Sequence, residues 1–207
     1  MNTVTINGQL LAPSKILCVG RNYAAHIEEL GNEVPEQMVV FMKPNSAIGQ
    51  TLQAEFGTPQ PEPLHFEGEL AFAVIGGELA AVGFGLDLTR RELQNRLKAR
   101  GLPWERAKAF DGAALFSEFV PLPAPDALLG LELRINGALR QQGDSRLMLS
   151  SPAAVLRELR SFTRLSDGDI IMTGTPAGVG PVRAGATFIG RILADGNTLV
   201  EASWQAR

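Results

Sequence analysis

The chain has 207 residues, of which 45% are hydrophobic and 20% charged, and its formal net charge at pH 7 is −3. That length supports one substantial hydrophobic core and is short for two, so we expect a single domain over residues 1–207. The weak negative charge and the lack of a run of Lys and Arg argue against a nucleic acid partner. The apolar stretches are too short to cross a membrane, and the N-terminus lacks a secretory pattern. We therefore expect a cytoplasmic protein without a membrane partner.

Short turn signals divide the chain into strands. Three dipeptides are typical of two-residue turns between antiparallel strands: Asn7-Gly8, Asn136-Gly137 and Asp195-Gly196. Leu131–Ile135 alternates apolar and charged residues, as a half-buried strand does, whereas Ile170–Met172 is typical of a buried strand. The pattern predicts a mainly β protein with few helices.

Cys18 is the only cysteine, so the chain forms no internal disulfide and no thiolate metal cluster. Its apolar neighbours in Ile16-Leu17-Cys18-Val19 predict a buried strand, where the pKa of a thiol rises and the group becomes inert. A nucleophilic role would require a nearby base such as His26. We favour a structural role.

A short helix is expected from Asn22, a good N-cap residue, to Gly31. On this helix His26 and Glu29 stand one turn apart on the same side, where the carboxylate can orient and polarise the imidazole. Such a pair can activate water. The alternative is an exposed His and Glu that form a weak salt bridge.

Glu67 and Glu69 lie in His65-Phe66-Glu67-Gly68-Glu69-Leu70, where an apolar run begins. Side chains two apart on a strand project from the same face, so the two carboxylates point one way and need a cation. Asp87 follows after a short connection, and three hard oxygen ligands suit Mg²⁺ or Mn²⁺ better than zinc. The alternative places Glu67 and Glu69 on the solvent-exposed face of an edge strand.

Two later helices have recognisable ends. Thr89 and Glu92 have the spacing of a capping box, and Gly101 closes that segment. Ser151-Pro152 supplies an N-cap and a first-turn proline for a helix that reaches about Ser161. One face of that helix, which we expect to pack on a sheet, carries Val155, Leu156, Leu159 and Phe162.

Two lysines have apolar neighbours: Lys43 in Phe41-Met42-Lys43-Pro44 and Lys108 in Ala107-Lys108-Ala109. Each is either a residue at the edge of the core whose ammonium reaches water or a cation held for an anionic substrate. The sequence leaves both alternatives open.

Residues 173–181 form a glycine-rich loop, Thr-Gly-Thr-Pro-Ala-Gly-Val-Gly-Pro, after the strand Ile170–Met172. Such a loop can bring backbone N–H groups to an anion, but this one lacks the Lys-Ser/Thr end of a phosphate loop and the spacing of a dinucleotide fingerprint. Nucleotide binding is therefore not supported. The alternative is a tight structural turn.

Together these segments resemble the fumarylacetoacetate hydrolase family. The match extends over about residues 15–182, nearly the whole chain, and the matching segments keep the family's order. They are Gly20–His26, Phe41–Pro44, His65–Leu70, Leu86–Thr89, Gly101–Trp104, Lys108–Asp111, Gly168–Ile171 and Thr173–Gly180.

The resemblance implies an α+β, mainly β fold: a mixed β-roll of the family's C-terminal-domain type with a few short helices. It implies a divalent ion, Mg²⁺ or Mn²⁺, held by Glu67, Glu69 and Asp87. In the family, the carboxylate and the adjacent 2-oxo oxygen of the substrate chelate the ion, which stabilises an enolate.

The resemblance also assigns roles to other residues. His26 with Glu29 would activate water or shuttle a proton, and Lys108 would stabilise the enolate or a carboxylate. The residues expected to bind substrate are Arg21, Lys43, Arg91, Gln94 and Thr175.

The small size resembles the short, single-domain acylpyruvate hydrolase branch, whose members cleave the C–C bond of 2,4-dioxo acids such as fumarylpyruvate and acetylpyruvate. We therefore expect a metal-dependent hydrolase of such acids that forms a homodimer. The alternative is an isomerase or tautomerase, or an oxaloacetate decarboxylase, acting through the same enolate. A binding protein that keeps the fold without turnover is a third alternative.

Two departures from the family pattern affect the prediction of which substrate is bound more than the prediction that a metal is bound. The link between Ile75 and Asp87 is shorter than is usual in the family. Arg90-Arg91-Glu92 follows Thr89 where Ala-Arg-Asp is more common.

Overall fold

Strands are more abundant than helices in the computed structural model, which describes residues 1–29, 31, 33–57 and 61–207. In chain order the strands are β1 (Val4–Ile6), β2 (Gln9–Leu11), β3 (Lys15–Gly20), β4 (Val39–Pro44), β5 (Glu55–Phe56), β6 (Glu62–Phe66), β7 (Gly68–Ile75), β8 (Glu78–Asp87), β9 (Thr89–Arg90), β10 (Ala114–Phe116), β11 (Val120–Pro121), β12 (Leu129–Ile135), β13 (Ala138–Asp144), β14 (Ile170–Met172), β15 (Gly180–Pro181), β16 (Thr187–Ala194) and β17 (Asn197–Gln205). The helices are α1 (Ala24–Glu29), α2 (Arg91–Ala99), α3 (Glu105–Lys108) and α4 (Pro152–Phe162).

The strands form a mixed main sheet and three smaller antiparallel sheets. The main sheet has the order β10-β8-β7-β14-β3-β4, with β11 also paired to β8, and its β14 and β3 are parallel. The second sheet has the order β13-β12-β16-β17. A small sheet, β15-β6-β5 with β9 on β6, and the β1-β2 hairpin complete the fold. The expected α+β, mainly β architecture with few short helices is confirmed; that it is a single domain stays a prediction.

The predicted hairpin turns are confirmed at all three positions. Asn7, Asn136 and Asp195 each have a φ of 50°, and each is followed by a glycine of positive φ, so each turn has the backbone that suits the twist of the strands it joins. They connect β1 to β2, β12 to β13 and β16 to β17.

The main core lies between the two larger sheets. One buried cluster joins side chains from β7, β8, β12 and β16, among them Leu70, Phe72, Phe84, Leu131 and Phe188. Gly190 of β16 lets the ring of Phe84 pack against the backbone, because a Cβ at this position would overlap that ring. The second sheet therefore lies close against β7 and β8, the strands that carry Glu69 and Asp87.

Helix α4 covers another part of the main sheet, as its pattern predicted. Ser151 Oγ accepts a hydrogen bond from Ala154 N–H at 3.3 Å, so the expected N-cap is present. Leu156 and Leu159 pack with residues of the main sheet in one cluster. The expectation for Phe162 is wrong: this last helical residue is 56% exposed, because the packed face ends at Leu159.

The capping box predicted for α2 is wrong. Thr89 belongs to β9, and the residue that precedes the helix, Arg90, makes no side-chain capping bond. The predicted end is confirmed: Gly101 has a φ of +62°, its N–H donates to Lys98 O at 3.1 Å, and Leu102 N–H donates to Leu97 O at 2.9 Å. This is a Schellman motif.

Asn22 joins separate segments ahead of α1. Its side chain accepts from Ser150 N–H at 2.7 Å and donates to Ser150 O at 3.0 Å and Thr173 O at 2.9 Å. The helix is described to Glu29, and Leu30, which precedes its expected end at Gly31, lies outside the described residues. Cys18 is fully buried in β3, where burial raises the pKa of its thiol, as a structural role requires. Within the described ranges no helix is long and apolar enough to cross a membrane.

Candidate active site

Three carboxylates meet where β6 ends, β7 begins and β8 ends. Glu67 joins β6 to β7, Glu69 is the second residue of β7, and Asp87 is the last residue of β8. Because β7 and β8 pair antiparallel, with Glu69 opposite Gly85, these ends lie side by side. One oxygen atom from each carboxylate lies within 4.8 Å of the other two. All three side chains are buried, so the alternative of a solvent-exposed strand face is wrong.

This acidic trio suits a divalent cation. Its donors are three carboxylates without a His or Cys ligand, a set that favours Mg²⁺ or Mn²⁺. Burial, together with the charges of Asp87 and Glu67, raises the pKa of Glu69 well above its usual value. The hydrogen bond from Gly174 N–H, at 2.7 Å, offsets this only in part. A divalent ion would remove the repulsion, so the residues fit the metal expected from the sequence.

Lys108 bridges two of the carboxylates. Its Nζ donates to Glu67 Oε2 at 2.8 Å, to Asp87 Oδ2 at 2.9 Å and to Thr89 Oγ1 at 2.7 Å. Burial opposes the ammonium charge, but Asp87 and Glu67 outweigh it and raise the pKa of Lys108. The structure therefore favours, for this lysine, a cation held in the site over a side chain that reaches water. Thr89 is drawn into this network, which explains why it does not cap α2.

Helix α2 turns a polar face towards the trio. Arg91 Nη2 donates to Glu67 Oε1, and Arg91 Nη1 donates to Gln94 Oε1 at 2.7 Å. Burial alone would raise the pKa of Glu67, but Lys108 and Arg91 hold it well below its usual range. Arg91 and Gln94 are the buried residues of this helix.

Lys43 lies behind the trio, away from the cavity. Its Nζ is 2.9 Å from Asp87 Oδ1, donates to Ala113 O at 3.1 Å, and also bonds Lys108 O. The side chain is 0% exposed and does not line the cavity described below. The expected direct contact with substrate therefore has no support in this geometry. Lys43 instead contacts the carboxylate and the chain segment that form the site.

His26 and Glu29 form the expected pair on α1. His26 Nδ1 lies 3.2 Å from Glu29 Oε2, and His26 is 6% exposed, so the alternative of an exposed pair is wrong for the imidazole. Glu29 Oε1 accepts from Gly178 N–H at 3.0 Å. The carboxylate is thus fixed on one side by the glycine-rich loop and orients the imidazole on the other.

The glycine-rich loop uses its backbone N–H groups on carboxylates of the protein itself. Gly174 N–H binds Glu69 and Gly178 N–H binds Glu29, while Thr175 Oγ1 donates to Gly68 O at 2.8 Å. Gly178 has a φ of +103°, and a Cβ there would overlap the carbonyl oxygen of Arg140. The loop is therefore both a tight turn and an anion-binding backbone, the two alternatives that the sequence left open.

Gln141 supports the same region and was missed by the sequence analysis. Its Oε1 accepts from Gly68 N–H at 2.9 Å, and its Nε2 donates to Thr175 Oγ1 and to Pro176 O, both at 2.8 Å. It lies on β13, where Leu139, Arg140 and Gln142 are exposed. No apolar alternation marks its buried face, so the sequence carries no signal for it.

A narrow cavity of about 30 Å³ opens in front of the trio. Its lining contains nine of the eleven residues expected in the site: Arg21, His26, Glu67, Glu69, Asp87, Arg91, Gln94, Lys108 and Thr175. Glu29 and Lys43 stand behind this lining. Arg21 has a φ of 57°, a left-handed conformation that is uncommon for a residue with a side chain and often marks a functional site.

Lys98, one of the four arginines and lysines that line this cavity, was not predicted. It lines the cavity from α2, four residues after Gln94 and seven after Arg91, and so on the same helical face. That spacing was a signal in the sequence that would have identified it.

The family model for the fumarylacetoacetate (FAA) hydrolase C-terminal domain matches residues 15–204. This chain belongs to the fumarylacetoacetate hydrolase family. The match extends the resemblance seen in the sequence to almost the whole chain, including β16 and most of β17.

Relatives within the family carry related activities. Oxaloacetate tautomerase YcgM of Escherichia coli is 38% identical over 204 residues, which cover 87% of this chain and 90% of the relative. The mitochondrial oxaloacetate tautomerase FAHD1 of Arabidopsis thaliana is 40% identical over 207 residues, 89% of each chain. The chain is also similar to the crystal structure of fumarylpyruvate hydrolase from Pseudomonas aeruginosa in complex with Mn²⁺ and pyruvate. The two structures superpose with a TM-score of 0.84 and are 33% identical in sequence. The match covers 99% of this chain and 95% of that one.

These findings confirm the β-roll expected from the sequence. The chain is a metal-dependent enzyme of this family, a C–C bond hydrolase or a related isomerase or decarboxylase. The relatives favour the isomerase alternative over the hydrolase that we first expected.

Proposed function

We propose that this protein is a divalent-metal-dependent tautomerase that interconverts the keto and enol forms of oxaloacetate. The main support is that the acidic trio and His26 line the same cavity: the trio is the candidate metal site, and His26 is the candidate proton acceptor. Two oxaloacetate tautomerases, at 38% and 40% identity, support the choice of reaction.

We assign substrate binding to the divalent ion and to the polar side chains that line the cavity. When bound, the divalent ion supplies positive charge for the carboxylate and the 2-oxo oxygen of the substrate and for the negative charge that develops on that oxygen. Lys108 and Arg91 hold Glu67, so the geometry of the trio is set before the substrate enters. Arg91, Gln94, Thr175 and Arg21 form the polar walls that orient the substrate.

Tautomerisation moves one proton within the substrate, and His26 is the residue to which we assign this transfer. Glu29 accepts from Nδ1, which leaves Nε2 as the proton acceptor. The C3–H bond breaks as the proton passes to Nε2, and its electron pair forms the C2=C3 double bond. The imidazolium then returns the proton to the C2 oxygen. No water or co-reactant is consumed.

Acylpyruvate hydrolysis is the second candidate function. It is supported by the likeness to the fumarylpyruvate hydrolase of Pseudomonas aeruginosa and by the buried His26 and Glu29 pair, which can also activate water. Both reactions need the same enolate-stabilising site, so the decision between them depends on whether water attacks the substrate.

A panel of reactions on the purified, Mg²⁺-loaded protein tests the proposal. We expect the decay of enol-oxaloacetate absorbance to be accelerated by at least about tenfold over buffer with Mg²⁺, and the acceleration to disappear with EDTA. Loss of the enol absorbance of fumarylpyruvate and acetylpyruvate measures hydrolysis, and formation of pyruvate from oxaloacetate measures decarboxylation. Turnover of the 2,4-dioxo acids without acceleration of the oxaloacetate enol would reject the tautomerase and select the hydrolase.

His26→Ala separates proton transfer from the action of the metal alone. We expect this variant to lose about a hundredfold or more in tautomerase rate, a typical contribution of a general acid or base. Metal-assisted decarboxylation needs no such base and would persist, because the ion already serves as the electron sink. Full tautomerase activity in His26→Ala would contradict the role given to this residue.

Three further expectations stay predictions. The resident ion is Mg²⁺ or Mn²⁺, the protein acts in the cytoplasm, and it forms a homodimer. Light scattering on the purified protein tests the last of these.

A further inference from the structure

Lys98 is a cation on the cavity wall that the proposed proton transfer does not use. It is half-buried, and its Nζ lies 5.0 Å from the centroid of the Trp104 ring, which also lines the cavity. Within the described part of the chain its ammonium has no hydrogen bond or ion pair, so the ring is its one specific contact. A charged group in such surroundings is suited to receive an anion.

The charges around the cavity leave positive charge beside Lys98. The lining carries four basic residues, Arg21, Arg91, Lys98 and Lys108, against the three carboxylates of the trio. Lys108 and Arg91 are already paired with members of the trio. Once a divalent ion is added, the trio's negative charge is largely compensated, and Lys98 is the lining lysine that has no carboxylate partner among the described residues.

The pKa of Lys98 agrees with this placement. It falls to about 8, because partial burial removes water from the ammonium and because Arg21 and Arg91 lie close enough to repel it. An anion in the cavity would relieve both effects.

The helical geometry gives the direction in which such an anion would lie. Gln94 and Lys98 are four residues apart on one face of α2, a rise of about 6 Å along the helix axis. A ligand whose 2-oxo acid head is at the trio would therefore extend along this face and reach Lys98 with its other end.

We propose that Lys98, with Arg21, binds the second carboxylate of the substrate and so selects dicarboxylic 2-oxo acids over monocarboxylic ones. This inference rests on the proposed function, because the metal site fixes which end of the substrate faces Lys98. It assigns specificity to a residue outside the acidic trio and the His26 and Glu29 pair. The Trp104 ring, 5.0 Å from Nζ, positions the ammonium on the cavity wall.

A matched pair of substrates tests the assignment. Oxaloacetate and its 4-methyl ester share the 2-oxo acid head and the carbon skeleton, but the ester lacks the second negative charge. With Mg²⁺-loaded wild-type protein, we expect kcat/KM for tautomerisation to favour oxaloacetate by about tenfold or more, mainly through KM. In Lys98→Met, which keeps an unbranched apolar stem against Trp104, kcat/KM for oxaloacetate should fall by about tenfold while that for the ester stays within about twofold.

Two further variants serve as controls. Arg96→Met removes a positive charge from an exposed position of the same helix and should leave the preference for oxaloacetate unchanged. Lys98→Arg keeps the charge and should restore most of the preference lost in Lys98→Met. Equal losses for both substrates in Lys98→Met, or an unchanged preference, would overturn the proposal.

Binding measurements keep this test separate from the test of the reaction. Quenching of tryptophan fluorescence in the Mg²⁺-loaded protein would report binding of either compound, whether or not it is converted. Tighter binding of oxaloacetate than of the ester that is lost in Lys98→Met would support the subsite even if the protein proves to be a hydrolase. Equal binding of the two compounds by the wild-type protein would reject the subsite even if the tautomerase is confirmed.

Discussion

The three carboxylates of the site differ in the positive charges that hold them. Glu67 contacts both Lys108 and Arg91, and Asp87 contacts both Lys43 and Lys108. For Glu69 the structure shows a backbone donor, Gly174 N–H, rather than an ion pair. Glu69 is therefore the carboxylate whose charge depends most on a bound metal.

Gln141 binds both the backbone between Glu67 and Glu69 and the glycine-rich loop, so its replacement should affect both. Gln141→Leu leaves Gly68 N–H without its acceptor and removes the shorter of the two hydrogen bonds to Pro176 O, so we expect a loss of about 2 kcal/mol in the free energy of unfolding. Because Gly68 separates Glu67 from Glu69, we also expect weaker Mg²⁺ binding. Urea unfolding and calorimetric titration with Mg²⁺ measure the two effects.

The neighbouring glutamine provides the matched control. Gln142 is exposed on the opposite face of the same strand, and Gln142→Leu should change neither quantity appreciably. If Gln141→Leu lowered stability but bound Mg²⁺ as the wild-type protein does, the link between this side chain and the metal ligands would be wrong.

Among the elements, the parallel pair β14 and β3 depends on a buried carboxylate. Asp169, which precedes β14, is 0% exposed and accepts from Ser14 N–H at 2.9 Å and Ser166 N–H at 2.9 Å. It also pairs with Lys15 Nζ at 2.6 Å. One side chain thus joins the segments that enter both strands of the pair.

We predict that Asp169→Asn lowers the free energy of unfolding at pH 7 by about 3 kcal/mol, because it removes a buried anion from its donors. Burial alone would raise the pKa of Asp169, but Lys15 and Ser14 outweigh it, and the pKa is lower in the folded chain than in the unfolded one. The stabilisation is therefore complete above pH of about 4 and is lost as the pH falls through the folded value.

Urea unfolding between pH 3 and pH 7 would check this dependence. The difference between the wild-type protein and Asp169→Asn should shrink in acid, whereas the exposed substitution Asp126→Asn should have little effect at any pH. A difference that stayed constant down to pH 3 would contradict the role given to Asp169.

Several elements were predicted correctly because their signals lie in short stretches of sequence. The three hairpin turns, the start of α4 and the end of α2 each depend on a few adjacent residues with a defined backbone requirement. The capping box at Thr89 failed because the Thr89 hydroxyl accepts a hydrogen bond from Lys108 Nζ, which lies 19 residues further along the chain, and donates to Asp87 O instead of capping the helix. Tertiary contacts overrode a correct local spacing.

For the whole molecule, the order of motifs along the chain was enough to identify the family and its mixed β-roll fold. The sequence did not decide which side chains line the cavity and which lie behind it, because that depends on how far each residue is buried in the folded chain. Lys43 and Lys108 have similar apolar neighbours, yet the structure places Lys43 behind Asp87 and Lys108 on the cavity wall. Gln141 reaches the site from a different sheet, a contact that no local pattern encodes.

The central claim is that Glu67, Glu69 and Asp87 bind one divalent ion, and calorimetric titration of the purified protein with Mn²⁺ tests it most directly. We predict one ion per chain for the wild-type protein and for Glu78→Gln, which alters an exposed carboxylate at the other end of β8. Glu69→Gln should weaken the affinity by about a hundredfold, because it removes an anionic ligand. Binding of Mn²⁺ to Glu69→Gln with the affinity of the wild-type protein would contradict the account.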